Sequence, residues 1–201
     1  MTPAPVGFDL DMTLIDSRRA IMSSFAAVET GTGVAIDLDD VDQRLGIKLE
    51  TELAYWFPPD EIPDAVTLYR EHYAKVAAEL TVVMPGAADA LAAVRTAGAR
   101  AVVITAKYVV PARAGLDGAG LAVDELYTEL HGPEKATALA RIGAAVYAGD
   151  TPADMAAAKT AGAVAVGVAT GSFGAQSLTA AGADVVFRSL REFPAWYETV
   201  C

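Results

Sequence analysis

Apolar runs and helix-like stretches alternate along the second half of this chain. Three unbroken apolar runs of strand length occur there: ARAVVITA (99–106), AAVYAGD (144–150) and VAVGVATG (164–171). Such runs predict strands that are covered on both faces of a sheet, and DVVFRSL (184–190) predicts a fourth, weaker strand. Three alanine-rich stretches that close on Gly predict helices: residues 87–98, 134–143 and 152–162. This alternation predicts βαβ units, and therefore a parallel sheet with right-handed crossovers.

The first half of the chain has a different pattern. Position predicts a first strand over residues 6–10, although Pro3, Pro5 and Gly7 are poor strand formers. After Ser17 the pattern predicts helices with no strand between them: residues 18–29, 39–57 and 59–80. The α/β pattern resumes at Met84. We therefore predict an α/β, Rossmann-like parallel sheet core with helices on both faces, formed by residues 1–16 and 84–201, and a small all-helical cap domain formed by residues 17–83.

Composition and charge limit the classes of partner. Hydrophobic residues make up 53% of the 201 residues, but no apolar run approaches the roughly 20 residues that span a bilayer. The N-terminus shows no secretory signal pattern, and Cys201 is the only cysteine, so we expect a soluble, cytoplasmic protein. The formal net charge of −11 disfavours a nucleic acid polymer or an anionic membrane as partner. An anionic substrate would therefore need a locally positive site. Oligomeric state cannot be read from the sequence.

Polar residues follow several of the predicted strands. The strand ends read FDLD, VVITA, YAGD and VATG, and open α/β sheets bind ligands at the carboxyl ends of their strands. Asp9 and Asp11 lie one residue apart behind a run that should be buried. Two ionised carboxylates that close repel each other and are costly to desolvate, so they require a compensating charge.

These segments resemble the motifs of a known family. In order along the chain they are DLDMT (9–13), Thr105 after an apolar run, Lys135 at a helix start and GDTPAD (149–154). Together they resemble the four motifs of the haloacid dehalogenase (HAD) superfamily of phosphohydrolases, and the insertion after the first motif is similar to the helical cap of its phosphoglycolate phosphatase-like branch. The resemblance implies hydrolysis of a small phosphorylated metabolite with Mg²⁺ as cofactor.

The resemblance also implies roles for the four aspartates. Asp9 would be the nucleophile that forms an aspartyl phosphate. Asp11 would be the general acid and base, and its backbone carbonyl would be a further metal ligand. Mg²⁺ would be held by Asp9, Asp11, Asp150 and Asp154, and it would compensate the charge of the Asp9 and Asp11 pair. Each aspartate taken alone also fits a turn or a helix cap.

The remaining candidates are substrate contacts. Thr105, with the backbone N–H groups near it at Ala106, would bind the phosphate oxygens, and Lys135 would screen the substrate from the nucleophile. Lys107 is a rival for the role of Lys135, and a solvated helix position is the other interpretation of Lys135. In the cap, RLGIKLE (44–50) makes Arg44 and Lys48 candidates for substrate contacts.

Three functions share these motifs. The leading prediction is a Mg²⁺-dependent phosphatase for a small monoester such as phosphoglycolate, a sugar phosphate or a nucleotide. The alternatives are a phosphotransferase or mutase of the same superfamily, which only product analysis separates, and a binding module of the same fold without turnover. Cleavage of carbon–halogen bonds or of phosphonoacetaldehyde is disfavoured, because relatives with those activities lack an acidic residue at the position of Asp11.

Overall fold

A computed structural model describes residues 3–200, so Cys201 lies outside the described residues. Its eight strands within that range are β1 (Val6–Phe8), β2 (Ile15–Asp16), β3 (Val82–Val83), β4 (Ala101–Ile104), β5 (Glu125–Tyr127), β6 (Val146–Gly149), β7 (Val164–Val168) and β8 (Val185–Phe187). Six of them form one parallel sheet in the order β5-β4-β1-β6-β7-β8. The predicted parallel α/β core, its four predicted later strands and the weak first strand are confirmed.

The register places β1 in the middle of the sheet. Val6 pairs with Ala101 of β4 on one side and with Val146 of β6 on the other. Both strands bonded to β1 come from distant parts of the sequence, which is the arrangement that opens a ligand crevice at the carboxyl ends of an α/β sheet. Residues that follow β1, β4 and β6 are therefore brought side by side.

Helices cover both faces of this sheet. The α-helices among the described residues are α1 (Arg18–Thr32), α2 (Leu38–Gln43), α3 (Leu49–Leu53), α4 (Ile62–Leu80), α5 (Ala87–Thr96), α6 (Val109–Gly118), α7 (Pro133–Ile142), α8 (Pro152–Ala161), α9 (Ala175–Ala180) and α10 (Phe193–Val200). Phe8 and Val103 face the cluster that contains α5, α6 and α10, whereas Val102 and Tyr147 face the cluster that contains α7, α8 and α9. None of the helices in residues 3–200 combines the length and apolarity that a bilayer span requires.

The helical insertion, residues 17–83, has an apolar cluster of its own, to which Phe25, Leu53 and Tyr73 contribute. The prediction of a single helix over residues 39–57 is wrong, because α2 ends at Gln43 and α3 begins at Leu49. Gly46 lies between them at φ 105°, a conformation that glycine adopts readily and that no helix contains. The break therefore turns the chain at the segment that was predicted to approach the substrate.

The insertion is joined to the sheet domain by a short pairing that the sequence did not predict. β2 pairs with β3 in antiparallel fashion, and Met84 N donates to Leu14 O over 2.9 Å. The prediction that residues 17–83 are all helical is therefore wrong at Val82–Val83, which form β3. Two residues per strand give too little periodicity to detect. The division into a core of residues 1–16 and 84–201 and a cap stays a prediction, which the separate apolar cluster favours.

Candidate active site

Three of the predicted site residues follow three neighbouring strands. Asp9, Thr105 and Asp150 come directly after β1, β4 and β6, and each is at most 3% exposed. Asp9 N donates to Ala148 O of β6 over 2.8 Å, which keeps the chain in strand register up to the carboxylate. The structure therefore brings the predicted first, second and fourth motifs to one edge of the sheet.

A cluster of buried carboxylates lies at this edge. Asp9, Asp150 and Asp154 each present an oxygen, and these oxygens all lie within 4.8 Å of one another. Thr13 Oγ1 donates to Asp150 Oδ1 over 3.0 Å, so Thr13 links the first motif to the fourth. Asp154 is fixed at the start of α8, where it forms a capping box with Thr151. That box places its carboxylate beside Asp150 rather than in solvent.

Lys135 compensates part of this negative charge. Its Nζ lies 2.7 Å from Asp154 Oδ1 and 3.0 Å from Asp9 Oδ1, and its side chain is 3% exposed. Burial would lower the pKa of Lys135, but attraction by Asp154 and Asp9 outweighs burial and raises that pKa well above its ordinary value. A permanently charged ammonium therefore joins the nucleophile candidate to the helix start of the fourth motif. Its rival Lys107 takes a different place.

The carboxylates differ in how well they are compensated. Burial raises the pKa of Asp9 to about 7, and burial together with Asp9 and Asp154 raises the pKa of Asp150 well above its ordinary value. Burial acts on Asp154 in the same direction, but Lys135 and hydrogen bonds from Lys135 and Thr151 outweigh it and hold the pKa of Asp154 below its ordinary value. One ammonium thus satisfies Asp154 and leaves Asp9 and Asp150 short of positive charge.

The cluster fits a hard divalent cation. Carboxylate oxygens are the ligands that Mg²⁺ and Ca²⁺ prefer. No described residue donates a well-aligned hydrogen bond to Asp9 Oδ1, although this oxygen is buried. Asp9 Oδ1 shares its neighbouring ammonium, Lys135, with Asp154. This sharing and the two raised pKa values are what three carboxylates show when one more positive charge is needed. Asp9, Asp150 and Asp154 are therefore the residues that could hold a metal ion.

The Asp11 side chain points away from this cluster. Asp11 Oδ1 accepts a hydrogen bond from Ser17 Oγ and lies 2.8 Å from Lys107 Nζ. The Lys107 ammonium also lies 4.5 Å from the centre of the Tyr73 ring, which belongs to α4 of the insertion. The structure thus separates the two lysines: Lys135 contacts Asp9, and Lys107 contacts Asp11. Chain distance gives no sign of the second pair, because 96 residues separate its partners.

Three residues beyond the strand ends complete the site, and the sequence did not predict their contacts. Met12 has a φ of 60°, which is uncommon for a residue other than glycine, and Thr170 Oγ1 donates to Met12 O over 2.5 Å. Gly171 lies so close to Asp150 that a Cβ atom there would be 1.9 Å from Asp150 Oδ2. The loop after β7 therefore braces both acidic motifs.

A cavity of about 410 Å³ lies between this edge of the sheet and the insertion. Asp9, Asp11, Thr105 and Ala106 line it from the sheet side. From the insertion, the lining residues include both predicted cap contacts, Arg44 and Lys48. Lys135 is not among the lining residues and lies behind Asp9.

Polar contacts hold the insertion over the cavity. Lys48 Nζ lies 2.6 Å from Glu134 at the start of α7, and the His131 ring nitrogen Nδ1 lies 2.9 Å from Gly46 O. On the other side, Ser172 Oγ donates to Asp42 O over 2.6 Å. These contacts join the insertion to the loops that follow the sheet strands, so the cavity is covered in this structure.

Comparisons with known proteins agree with this architecture. A family model described as "haloacid dehalogenase-like hydrolase" matches residues 6–131, and a HAD-hydrolase-like model matches residues 133–193. A phosphoglycolate phosphatase of Cupriavidus necator is 30% identical over 93% of this chain and 90% of its own length. A "probable phosphatase IndB" of Dickeya dadantii is 30% identical over 92% of this chain and 89% of its own. The crystal structure of a hydrolase from Pseudomonas syringae, 18% identical, superimposes with a TM-score of 0.85 over 99% of this chain and 100% of that one.

Proposed function

This chain belongs to the haloacid dehalogenase-like hydrolase family, and on that premise we propose that it is a Mg²⁺-dependent phosphatase of small organic phosphate monoesters. The observation that carries the proposal is the buried cluster of Asp9, Asp150 and Asp154 around Lys135, with its shortage of positive charge. The names of its relatives from Cupriavidus necator and Dickeya dadantii support a phosphatase. The candidate substrates are phosphoglycolate, a sugar phosphate and a nucleotide.

We propose Asp9 and Asp150 as the ligands that contribute most to the metal site. Their raised pKa values mark them as the carboxylates whose negative charge is least compensated, whereas Asp154 accepts hydrogen bonds from both Lys135 and Thr151. Asp154 then adds negative charge and fixes the helix start, and the Asp11 backbone carbonyl is the fourth proposed ligand. When bound, Mg²⁺ neutralises negative charge so that an anionic phosphate can approach a carboxylate.

The proposed reaction has two steps on the chain's own residues. An Asp9 carboxylate oxygen forms a bond to phosphorus while the bond from phosphorus to the ester oxygen breaks, and Asp11 donates a proton to the departing oxygen. Water then attacks the aspartyl phosphate, Asp11 accepts its proton, and the bond between phosphorus and the Asp9 oxygen breaks. Inorganic phosphate leaves and Asp9 is restored.

The neighbouring residues hold these groups in place. Thr105, with the backbone N–H groups at Ala106, is proposed to bind phosphate oxygens, since both residues line the cavity beside Asp9. Lys135 holds the Asp9 carboxylate, and Lys107 with Ser17 holds the Asp11 carboxylate. The insertion is proposed to exclude bulk water during the first step, which strengthens these electrostatic contacts.

The proposal is tested by an assay on a simple ester. We expect purified protein to hydrolyse phenyl phosphate in the presence of Mg²⁺ and to lose that activity in excess EDTA, with recovery when Mg²⁺ is restored. Phenol and inorganic phosphate are both measured. Equal amounts identify a hydrolase, whereas phenol in excess of phosphate when a sugar alcohol is added identifies a phosphotransferase. No activity on this ester or on a panel of phosphorylated metabolites would contradict the proposal.

Stability of the metal-free protein is expected to fall as pH rises from about 4 to about 7. The folded-state pKa of Asp9 is about 7, above the ordinary value of 3.8. The folded protein therefore binds more protons than the unfolded chain in this window, and each such proton gives a slope of about −1.4 kcal/mol per pH unit in the free energy of unfolding. Urea unfolding in EDTA at several pH values measures the slope.

Mg²⁺ is expected to flatten or reverse this pH dependence, because deprotonated carboxylates bind the ion in the folded state. The same urea series with excess Mg²⁺ is the comparison. Asp150→Asn, which removes one of the titrating groups, is expected to show a shallower slope in EDTA. Identical slopes with EDTA and with Mg²⁺ would show that no metal binds at this cluster.

A further inference from the structure

Resting on the proposed function, we infer that the preferred substrate is a phosphate monoester whose leaving group is uncharged and carries an apolar ring. The inference concerns the part of the cavity beyond the phosphate position, where the insertion forms the wall. It disfavours esters of the phospho-carboxylate kind, to which phosphoglycolate belongs. Two features carry it: the charges of the cavity lining and its apolar surface.

Each cationic side chain that lines the cavity already has an anionic partner. Arg44 lies 2.7 Å from Glu52, which is itself buried, and both Glu52 oxygens accept from the guanidinium. The other three pairs are Lys48 with Glu134 at 2.6 Å, Arg70 with Glu50 at 3.0 Å and Lys107 with Asp11 at 2.8 Å. Among residues 3–200, the lining therefore contains no unpaired cation that could bind a second negative group of the substrate.

Of these four ion pairs, the pair of Arg44 with Glu52 gives the strongest support for the inference. Arg44 was predicted to contact substrate, but three of its guanidinium hydrogen bonds go to Glu52, and its guanidinium lies 4.4 Å from the centre of the Tyr55 ring. Breaking this ion pair to serve a substrate would leave the buried Glu52 carboxylate without its cation, which is strongly unfavourable. Arg44 therefore acts here on the packing of the insertion rather than on a substrate carboxylate.

Carboxylates outnumber cations along the lining. Four cationic residues line the cavity against six acidic ones, and Glu129 forms no ion pair among the described residues. The backbone of Glu129 has a φ of 61°, and its N–H donates a hydrogen bond to Lys107 O over 3.0 Å. A divalent cation offsets a phosphate dianion, so the excess of carboxylates would face any second negative charge on the substrate.

The insertion also lines the cavity with an apolar surface, beside its paired charges. This surface is formed by side chains of the insertion that belong to its own apolar cluster, among them Ile21, Phe25, Tyr69 and Tyr73. A cavity of about 410 Å³ that combines apolar side chains with a few polar groups is typical of a site for a small organic molecule. Burial of a ring against these side chains is favourable, whereas burial of a short charged group there is not.

A matched pair of esters tests the charge argument. We expect kcat/KM for phenyl phosphate to exceed that for 4-carboxyphenyl phosphate by at least about tenfold, the ratio that two like charges about 10 Å apart give at an effective dielectric constant of about 20. The added carboxylate does not make the phenolate a poorer leaving group, so a slower reaction reports binding in the cavity. Equal or faster hydrolysis of the carboxylated ester would overturn the inference.

Three variants locate the effect in the cavity. Glu129→Gln removes the unpaired carboxylate and Glu50→Gln releases Arg70, so both are expected to reduce the ratio between the two esters by about threefold or more. Glu79→Gln changes an exposed glutamate of α4 outside the cavity lining and is expected to leave the ratio unchanged. A ratio that none of the cavity variants alters, or that Glu79→Gln alters equally, would overturn the assignment to this wall.

A second pair tests the apolar wall. Ethyl phosphate and 2-phenylethyl phosphate have similar alkoxide leaving groups and differ in one ring, and we expect the KM of the phenylethyl ester to be lower by about tenfold. Equal KM values would overturn the apolar part of the inference. Failure of the proposed function has a different signature, since neither ester of either pair would then release phosphate in a Mg²⁺-dependent manner.

Discussion

Asp9→Asn is expected to lower kcat for a phosphate monoester by at least about 10³-fold, since an amide cannot form the aspartyl phosphate. The side chain is isosteric, and Asp9 is buried at the end of the central strand β1. The loss would therefore follow from the missing nucleophile rather than from a changed fold. Initial rates of phosphate release under saturating Mg²⁺ are the measurement.

The Asp9 variant has a stability signature that separates it from an unfolding variant. The pKa of Asp9 is raised to about 7 by burial, so an amide at this position removes a carboxylate that is costly to ionise in metal-free protein. Unfolding in EDTA at pH 8 is thus expected to show a variant at least as stable as the wild type. Asp89→Asn, on the exposed first turn of α5, is the matched control and should keep full activity. Residual activity of Asp9→Asn within tenfold of the wild type would remove Asp9 as the nucleophile.

Lys135→Met is expected to have the largest effect on stability, a loss of about 3–5 kcal/mol. The ammonium lies within 3.0 Å of Asp9 and Asp154, and all three side chains are buried. Methionine keeps the length and packing of the side chain but leaves two carboxylates without their cation. We also expect kcat to fall by at least about 100-fold, since Lys135 holds Asp9, the proposed nucleophile. Urea unfolding and initial rates measure the two effects.

The controls for Lys135→Met come from the same chain. Lys159 forms an ion pair with Asp184 at the same distance, 2.7 Å, but its side chain is 50% exposed. Lys159→Met is expected to cost at most about 1 kcal/mol, because solvent screens exposed pairs. Adding Asp154→Asn to Lys135→Met should recover part of the lost stability, since one uncompensated carboxylate is removed. If Lys135→Met cost no more than Lys159→Met, the charge balance proposed for the site would be wrong.

The sheet was predictable because its strands are simple in sequence. β4, β6 and β7 are buried on both faces, so they appear as unbroken apolar runs whose short length favours strands over helices. The edge strand β5 is three residues long and half-buried, and it leaves no such signal. Helix α6 was also missed, since Pro111 and two glycines weaken its pattern although a proline is tolerated in the first turn.

The sequence predicted those site residues whose positions are determined by the ends of the strands. Asp9, Thr105 and Asp150 meet because parallel strands end at one edge, a rule that needs only the order of the elements. The contacts of long side chains follow no such rule. Lys107 reaches Asp11 beside Tyr73 of α4, and Lys135 reaches from α7 to Asp9 and to Asp154 of α8. Both contacts depend on how separate elements pack together. The ion pairs that occupy Arg44 and Lys48 have the same origin.

Gly171 has no side chain, yet its position should behave like one that carries chemistry. Any larger residue would place its Cβ on Asp150. A deep mutational scan scored on turnover would therefore give Gly171 a tolerance profile as narrow as that of Asp9, the proposed nucleophile. Ranking positions by sensitivity alone would then count a spacer among the reactive groups of this enzyme. If the Gly171 variants still fold, an abundance score measured beside each activity score would not separate Gly171 from the reactive residues. Only the geometry around Asp150 distinguishes a spacer from a reactive group.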